Sequence, residues 1–542
     1  MKPRPLHGGY RNWARFTLIA LSCVALSAFG VSSGEEQEDE HAAPLTVPKA
    51  VCGANDHPET ALQGQVPAAL RAAGFQGFNC NLQLVGQSRG DGANWQTTEF
   101  RDEHGHICAY HGTSFSTANR THLGVPVIDV TEPDAPTPTG YLTTTSMLDP
   151  WESLKVNERR QLLGADNGHN GGGGPEVDIY DVSGDCRFPQ LLASAAVGTG
   201  TDGGTVAPVI GHEGSWAPDG LTYYGGSPVQ HLYYAVDTTD VTKPKLITTW
   251  LTPYGVTPVP GTYTDGGSHG LSISDDGTRG YMVSIGLNTT AALTNPSVSA
   301  TNGLLIYDLS EIQSRANNPK ARLISSLLWK DGSAAQHTIP VKIDGKPYVI
   351  FVDEGGSGGT SNAAQEQAAC AAGMPPFPMA RIIDIRDETK PKIVSRLALE
   401  VHNPANCAAI LPDLVGLSIF TYGSHYCSVD NRHNATTLAC GYFNSGIRVF
   451  DIRDPRRPKE IAYYNPAGAT TVSPGSNHVL GNNFVPGGPD WCSAQVHLHI
   501  SQGHGRQGTL WSTCQDNGLL MLKFENGVWP FEESSTPPGQ QN

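Results

Sequence analysis

Short stretches in which apolar and polar residues alternate, each followed by a proline-rich turn, recur along the chain. The clearest is Ser445–Pro466, which reads SGIRVFDIRDPRRPKEIAYYNP. Its residues Ile447 and Val449 are spaced as in a half-buried β-strand, whose side chains point alternately to two faces. Pro455 and Pro458 then end the strand, because proline lacks an N–H and disfavours helix in the residue before it. The pattern predicts a strand that ends near an aspartate, a proline turn and a second strand.

Copies of this unit begin at six other places along the chain, namely Val125, Val177, Tyr233, Leu304, Arg381 and, in degenerate form, Leu519. The recurring acidic position holds Asp129, Asp181, Asp237, Asp308, Asp384 and Asp451, with Lys523 at the seventh place. From the first to the last is 394 positions over six intervals, a mean period of about 66 residues. Repeated half-buried sheets bury their faces by stacking on one another around an axis. The chain is therefore predicted to be all-β, a single seven-bladed β-propeller of four-stranded antiparallel blades.

The ends of the chain are predicted to lie outside this propeller. Basic residues precede the apolar run Phe16–Val31, and Gly30 offers a cleavage site, so residues 1–30 are interpreted as a signal peptide, with an uncleaved N-terminal anchor as the alternative. The run is shorter than the roughly 20 residues of a membrane-spanning helix, so no membrane span is expected in the mature chain. Residues 31–79 are predicted to be an acidic, mostly disordered spacer and lead-in, 80–531 the propeller, and 532–542 a disordered tail.

The cysteine count agrees with export to the periplasm, the cell surface or the medium. Without Cys23 in the signal segment, ten of the eleven cysteines remain, an even number that suits disulfides in an oxidising compartment. Cys427 and Cys440 flank one predicted hairpin and Cys492 and Cys514 another, so these two local pairs are predicted. No C-x-x-C pair occurs, which argues against a cysteine-based zinc or redox site.

The net charge of the chain limits the classes of molecule that it is expected to bind. The formal net charge of −16 becomes −20 when cleavage after Gly30 removes four basic residues and no acidic ones. Nucleic acids and anionic membrane surfaces attract basic patches, so neither is an expected partner. A protein or a small-molecule ligand on a face of the propeller is expected instead.

Histidines recur at the start of the predicted innermost strands. His212 stands six positions before the turn that begins at Pro218, and His269 stands six before the turn that begins at Asp275. Three later repeats place a histidine similarly, at His337, His425 and His497. Because the innermost strands of a propeller surround its central channel, the spacing predicts a ring of histidines at one mouth of the channel.

Two interpretations of this ring remain open. Convergent imidazoles suit a divalent transition metal such as Fe, Cu or Zn, with His212, His269, His337, His425 and His497 as the candidate ligands. Alternatively, each histidine hydrogen-bonds a neighbouring blade and recurs because the repeat was duplicated. Acids that could assist a metal are Glu213, Asp353 and Glu354, although solvated or turn-satisfying roles also suit them. The sequence contains no recognisable set of nucleophile, base and orienting residue, so the catalytic residues are unknown.

Three of the repeats, reading GVPVIDVTEPDAP, ARIIDIRDETKPK and SGIRVFDIRDPRRP, resemble the LVIVD-repeat proteins, a group of exported bacterial β-propellers. The resemblance extends from about Asn81 to Phe524 and implies this fold and export. It implies no activity and no site residues. Lys523 departs from the pattern, which suggests a closing blade completed by N-terminal sequence.

Two functions follow as hypotheses. The first is an exported propeller that acts as a binding or scaffold module, with its partner on the loop face or in the channel. The second is a metal-dependent enzyme, such as an oxidoreductase, that uses the histidine ring. A propeller supports both uses, so the fold does not choose between them.

Overall fold

The computed structural model describes residues 46–114, 119–168, 175–197, 209–254, 267–286, 293–360, 362–480, 484–500 and 508–531. The signal segment predicted at 1–30 and the tail predicted at 532–542 lie outside the described residues. Among the described residues, no helix combines the length and the apolar character needed to cross a membrane.

Seven antiparallel sheets follow one another along the chain and form the seven blades that the repeats predict. Blade one contains β3 (Thr97–Arg101), β4 (Ile107–His111), β5 (Val125–Asp129) and β6 (Thr137–Leu142). Blade two contains β7 (Lys155–Asn157), β8 (Leu162–Asp166), β9 (Val177–Asp181) and β10 (Gln190–Ala195). Blade three contains β11 (Glu213–Trp216), β12 (Thr222–Ser227), β13 (Leu232–Asp237) and β14 (Lys245–Leu251). Blade four contains β15 (Leu271–Ile273), β16 (Arg279–Ser284), β17 (Asn302–Asp308) and β18 (Arg322–Trp329).

The remaining blades recruit N-terminal strands. Blade five contains β19 (Ser333–Ile343), β20 (Lys346–Gly355), β21 (Ala380–Asp384) and β22 (Lys392–Arg396). Blade six contains β23 (Ser424–Val429), β24 (Thr437–Tyr442), β25 (Gly446–Asp451) and β26 (Lys459–Asn465), with β1 (Phe78–Cys80) as a fifth strand. Blade seven contains β27 (His497–Ile500), β28 (Gly508–Cys514) and β29 (Gly518–Phe524), and its outer strand is β2 (Leu82–Ser88). The pairing of β2 with β29 closes the ring between the two ends of the propeller.

Short helices lie between or beside the strands. The α-helices span Ala68–Ala73, Thr145–Leu148, Ser310–Gln313, Ala363–Ala371 and Cys407–Ile410. The 3-10 helices span Glu400–His402, Pro404–Asn406, Leu411–Leu414 and Asn477–Leu480.

The segment ahead of the propeller corrects one expectation. Its described part, residues 46–79, is packed against blade six, whereas the sequence predicted a mostly disordered spacer. Glu59 pairs with the buried Arg448, Gln63 donates to Glu460 at 2.9 Å, and a disulfide joins Cys52 to Cys80. Glu59, one of the acidic residues of this segment, therefore forms an ion pair with the buried Arg448.

The hydrophobic core lies between the blades. Seven clusters of buried apolar side chains each join two neighbouring sheets, including the pair formed by blade seven and blade one. In that last cluster, Trp511 and Met521 of blade seven pack with Ile128 of blade one. Both faces of each sheet meet another sheet, so the strand that contains Ile447 and Val449 is buried on both faces, whereas its alternation predicted a half-buried strand.

Five disulfides form among the described cysteines, and both predicted local pairs are confirmed. Cys427 and Cys440 lie directly opposite each other on β23 and β24. Cys492 and Cys514 form the second predicted pair. The other three link Cys52 to Cys80, Cys108 to Cys186 and Cys370 to Cys407. Five pairs are typical of exported proteins.

The repeated aspartates end the third strand of six blades. Each accepts a hydrogen bond from the backbone N–H two residues later, at 2.8 to 3.1 Å, in Asp129, Asp181, Asp237, Asp308, Asp384 and Asp451. An aspartate that bonds the backbone two residues on starts the turn towards the next strand. The repeat motif is therefore a structural device that shapes the turn to the outer strand.

We expect Asp451→Ala to lower the free energy of unfolding at pH 7 by about 1–3 kcal/mol, because the buried Asp451 carboxylate that accepts the Arg453 N–H is lost. Asp451→Asn is the matched control, since its side-chain oxygen still accepts that N–H and it should cost less. Although burial raises it, hydrogen bonds and nearby cations lower the pKa of Asp451. Its contribution is therefore present above the unfolded pKa of about 3.9 and is lost as the pH falls through the folded value. Urea unfolding at pH 7 and pH 3 measures both effects. Equal stability of the alanine variant and the wild type at pH 7 would contradict this role.

Candidate metal centre

Three adjacent blades direct side chains to one point in the central channel. Glu152, His212 and His269 lie just before or at the start of the innermost strands β7, β11 and β15. The Glu152 N–H donates to the His212 carbonyl oxygen at 2.9 Å, and a parallel bridge joins Glu152 to Glu213. These backbone contacts hold the first two strand starts side by side, so their side chains point inward at the same level.

The ligand atoms of the three side chains form a tight triangle. His212 Nε2 and His269 Nε2 each lie 3.1 Å from Glu152 Oε2, and the two nitrogens lie 2.9 Å from each other. Glu152 and His269 are only 2 % exposed, whereas His212 is 20 % exposed. The group is thus mostly buried, with one imidazole reaching towards solvent.

Hydrogen bonds to the backbone orient the imidazoles. His269 Nδ1 lies 2.9 Å from the Ala335 carbonyl oxygen, and His425 Nδ1 lies 2.9 Å from the Ser493 carbonyl oxygen, each in the next blade. A carbonyl oxygen can only accept a hydrogen bond, so each Nδ1 carries the proton that it donates. In its neutral form, such a ring presents the Nε2 lone pair to the centre. Metal-ligating histidines are commonly held by a second-nitrogen hydrogen bond of this kind. The same contacts link neighbouring blades. They therefore agree both with histidines that bind a metal and with histidines that brace the blades.

The spacing of the triangle fits a cation. Neighbouring ligands of a six-coordinate ion, bound at about 2.1 Å, stand about 3.0 Å apart. Ligands of a tetrahedral zinc ion stand farther apart, at about 3.4 Å. The observed separations of 2.9, 3.1 and 3.1 Å match the first geometry, in which two histidines and one carboxylate occupy one face of the ion.

His425 contacts the other oxygen of the same carboxylate. Its Nε2 lies 3.1 Å from Glu152 Oε1 and 3.3 Å from Glu354 Oε2. His425 is thereby placed to hold Glu152 in position or to supply a fourth nitrogen. Glu354, which the sequence suggested as an assisting acid, lies beside this histidine.

The opposite charges of the carboxylate and the imidazoles shift the pKa values of the cluster. Although burial opposes it, the three histidines hold the pKa of Glu152 well below its usual range. Burial also lowers the pKa of both His269 and His425, but hydrogen bonds and charge from Glu152 and its neighbours raise them to about 9 and about 10. Burial keeps the pKa of His212 below its usual value. The Glu152 carboxylate and its neighbours thus favour positive charge at this point in the channel.

Two predicted ligands lie elsewhere in the channel. His337 follows an irregularity in the pairing of β19 with β20, and its Nε2 lies 3.3 Å from the Cys427 carbonyl oxygen. His497 stacks on Trp511, and its Nε2 lies 3.0 Å from the Thr97 hydroxyl. Both contact the neighbouring blade and stand outside the triangle. The structure thus brings together three of the five predicted histidines.

The two other predicted acids have different surroundings. Asp353 is buried among Arg381, Asn302 and Trp329 and stands outside the triangle. Glu213 is buried directly below the cluster, where it accepts the Tyr426 hydroxyl and lies 3.7 Å from Lys155 Nζ. Burial raises the pKa of Glu213 to about 8. Of these two acids, Glu213 is the one that lines the channel.

Aromatic side chains pack against the cluster. The Trp95 ring lies 5.0 Å from His425, and the Trp151 ring lies 5.4 Å from His212, centroid to centroid. Phe443 and Trp491 pack behind Trp95. This apolar cover limits the water around the cluster and strengthens its electrostatic interactions.

Glu152 was not among the sequence candidates, although the spacing rule identifies it. It stands six positions before Glu158, where the turn of blade two begins, as His212 and His269 stand six before theirs. A recurring histidine marks this position in five blades, whereas blade two holds a carboxylate there and so lacks the marker.

Three other groups of potential ligands occur among the described residues. Near Asp56, Cys52 and Cys80 are joined in a disulfide and cannot ligate as thiolates. In a second group the Asp490 carboxylate accepts N–H bonds from the backbone of residues 491, 516 and 517. In a third, the Asp102 carboxylate accepts N–H bonds from the backbone of residues 104, 106 and 186. Because these carboxylates and thiols already have protein partners, the three groups are weaker candidates than the triangle.

Comparison with known families and with curated proteins gives no match to this chain. Solved structures resemble it at low identity. The periplasmic gluconolactonase PpgL of Pseudomonas aeruginosa is 11 % identical with a TM-score of 0.45, over 78 % of this chain and 96 % of that one. The β-propeller domain of Cps50 (Swd1) from Myceliophteria thermophila is 9 % identical with a TM-score of 0.44, over 82 % of this chain and 100 % of that one. Similarity at this level gives no information on activity, and membership of the LVIVD-repeat group stays a prediction.

Proposed function

We propose that this protein is an exported, metal-dependent enzyme that holds one divalent transition metal ion at Glu152, His212 and His269. The observation that carries the proposal is the triangle itself, in which two imidazole nitrogens 2.9 Å apart share one carboxylate oxygen. Bracing between blades explains the Nδ1 contacts but does not require the Nε2 atoms to converge. For this reason we place the metal-dependent enzyme ahead of the binding or scaffold module that the sequence favoured.

Two histidines and one carboxylate on one face of an ion are typical of non-haem Fe(II) sites, and they also suit Cu or Mn. A metal ion bound there would act as a Lewis acid or, for iron or copper, exchange electrons. His269 and His425 are fixed through the backbone of the next blade, and His425 with Glu354 holds the far side of the Glu152 carboxylate. Glu213 and the Tyr426 hydroxyl, bonded to each other beneath the cluster, are the nearest proton-carrying pair on the channel side.

Metal content of the protein purified from its native export compartment tests the proposal. We expect about one transition metal ion per chain in the wild type and loss of that ion in His212→Ala and His269→Ala, because each variant removes one of three ligands. A substoichiometric metal content that these variants leave unchanged would rule out the metal site.

A second measurement distinguishes an enzyme from a structural metal site, because catalytic ions keep an open coordination position and structural ions do not. Addition of azide to the Co(II)- or Cu(II)-loaded protein should change its visible spectrum. An unchanged spectrum at high azide would show that the protein closes the coordination sphere, and the catalytic part of the proposal would then fail.

A further inference from the structure

A cavity of about 670 Å³ occupies the channel on the other side of Glu213 from the metal ligands. All seven blades contribute to its lining, and it extends to turn residues such as Arg159, Pro218 and Asn431. A cavity of this size suits a small organic molecule. Glu213 and Tyr426 line its inner end, so the cavity and the metal cluster lie on opposite sides of this pair.

Lys155 places its ammonium at the inner end. Among the described residues, its only charged partner within 4 Å is Glu213, whose Oε1 lies 3.7 Å from Lys155 Nζ while the other carboxylate oxygen accepts the Tyr426 hydroxyl. The Lys155 side chain is 20 % exposed, and its Nζ lies 5.4 Å from the centre of the Tyr426 ring. An ammonium in a confined channel is stabilised by an anion that can reach it.

A buried imidazole beside Lys155 has an unused nitrogen. The His337 ring stacks on the same Tyr426 ring at 4.5 Å and lines the cavity. Among the described residues, His337 Nδ1 has no hydrogen-bond partner although the residue is only 5 % exposed. Its Nε2 lies 3.3 Å from the Cys427 carbonyl oxygen and 3.4 Å from the Cys427 backbone nitrogen. In the tautomer that accepts a hydrogen bond from that nitrogen, Nδ1–H is free to donate.

Most carboxylates that line the cavity already form hydrogen bonds or ion pairs with other residues. Glu99 accepts the Trp511 indole N–H at 2.7 Å, and Asp275 pairs with Arg432 at 3.2 Å. Asp430 accepts the N–H groups of residues 436 and 437. Glu158 is the remaining acid, and it is exposed at the turn next to Arg159. Among the described residues, the inner end therefore offers the Lys155 ammonium, which has one distant ion-pair contact, to Glu213 at 3.7 Å.

We propose that this cavity binds a small organic carboxylate, with the carboxylate at Lys155 and His337 and the apolar body against the channel wall. A carboxylate ligand carries one negative charge, which matches the one ammonium. A phosphate dianion carries a second charge, which the carboxylates of the lining would repel. Apolar side chains for the body of the ligand are Trp216, Leu271, Ile339, Val429, Val496 and Leu498. The binding site goes beyond the proposed metal centre and does not depend on it.

Calorimetric titration with phenylacetate, phenylacetamide and phenyl phosphate tests the inference. We expect the wild type to bind phenylacetate at least about 10-fold more tightly than its neutral amide, because only the carboxylate makes a charge-assisted hydrogen bond. Lys155→Met should lower phenylacetate affinity by about 10-fold or more and leave phenylacetamide unchanged. Lys155→Arg should retain most of the affinity, and Arg159→Met at the mouth is the control for general charge.

Three outcomes would overturn the proposal. They are equal binding of the acid and the amide, tighter binding of phenyl phosphate than of phenylacetate, and no binding of phenylacetate at millimolar concentration. If Lys155→Met fails to fold, the comparison of phenylacetate with phenylacetamide on the wild type still tests the proposal. His269→Ala separates this proposal from the metal centre, since it should lose metal while still binding phenylacetate.

Discussion

Glu152→Gln should lower the affinity of the channel for a divalent transition metal by at least about 100-fold. Glutamine keeps the shape of the side chain but removes the negative charge shared by His212 Nε2 and His269 Nε2. Even residues that only support a ligand typically change metal affinity by about 10- to 100-fold, and Glu152 is itself a ligand candidate. Titration of metal-free protein with Fe(II) and Cu(II) under anaerobic conditions measures the change.

Glu213→Gln is the matched control for this result. Glu213 is also buried, and the parallel bridge places it beside Glu152, but its carboxylate contacts Tyr426 and Lys155. The control should keep its metal, and so should His337→Ala and His497→Ala. Equal loss in the two glutamine variants would show that general charge in the channel holds the ion, in place of direct ligation by Glu152.

Arg448→Met should lower the free energy of unfolding by about 3–5 kcal/mol, the usual cost of removing one partner from a buried ion pair. The Arg448 side chain is 0 % exposed and bonds both Glu59 and Glu460, the second at 2.8 Å. It also donates to the Ser445 carbonyl oxygen and lies over the Tyr463 ring. Methionine fills much of the volume but leaves two buried carboxylates without a cation.

Arg453→Met is the control for this second variant. Arg453 pairs with Asp451 at 2.9 Å, but its side chain is 47 % exposed, so its loss should cost less than about 1 kcal/mol. Urea unfolding of the disulfide-intact proteins compares the two midpoints. If Arg448→Met unfolds at the wild-type midpoint, the ion pairs do not anchor residues 46–79 to blade six.

The repeat pattern was sufficient to predict the propeller. The alternation around Ile447 and Val449 and the recurring aspartate specify strand, turn and strand in each blade, because these are local properties of a pleated backbone. Lys523 in the last repeat indicated a closing blade, and β2 does complete that blade. The packed segment at 46–79 was missed because its contacts, such as Glu59 with Arg448, join residues hundreds of positions apart.

The candidate site was predicted only in part. The spacing to the turn placed four of the five histidines at the starts of innermost strands, namely His212, His269, His425 and His497. The same spacing also selected His337, which the pairing irregularity on β19 turns towards the Cys427 backbone. A register shift of this kind leaves no mark in sequence spacing, since one added residue in a strand changes the face on which a side chain lies.

The sequence by itself determined the number of blades, the turn motif, two disulfide pairs and the set of strand positions that face the channel. These features depend on residue order and on contacts within a repeat. Tertiary structure alone decided that Glu152 meets His212 and His269, that His425 supports it, and that Lys155 and Glu213 both line the cavity. These contacts join different blades, and their geometry depends on the tilt and register of whole sheets around the channel axis.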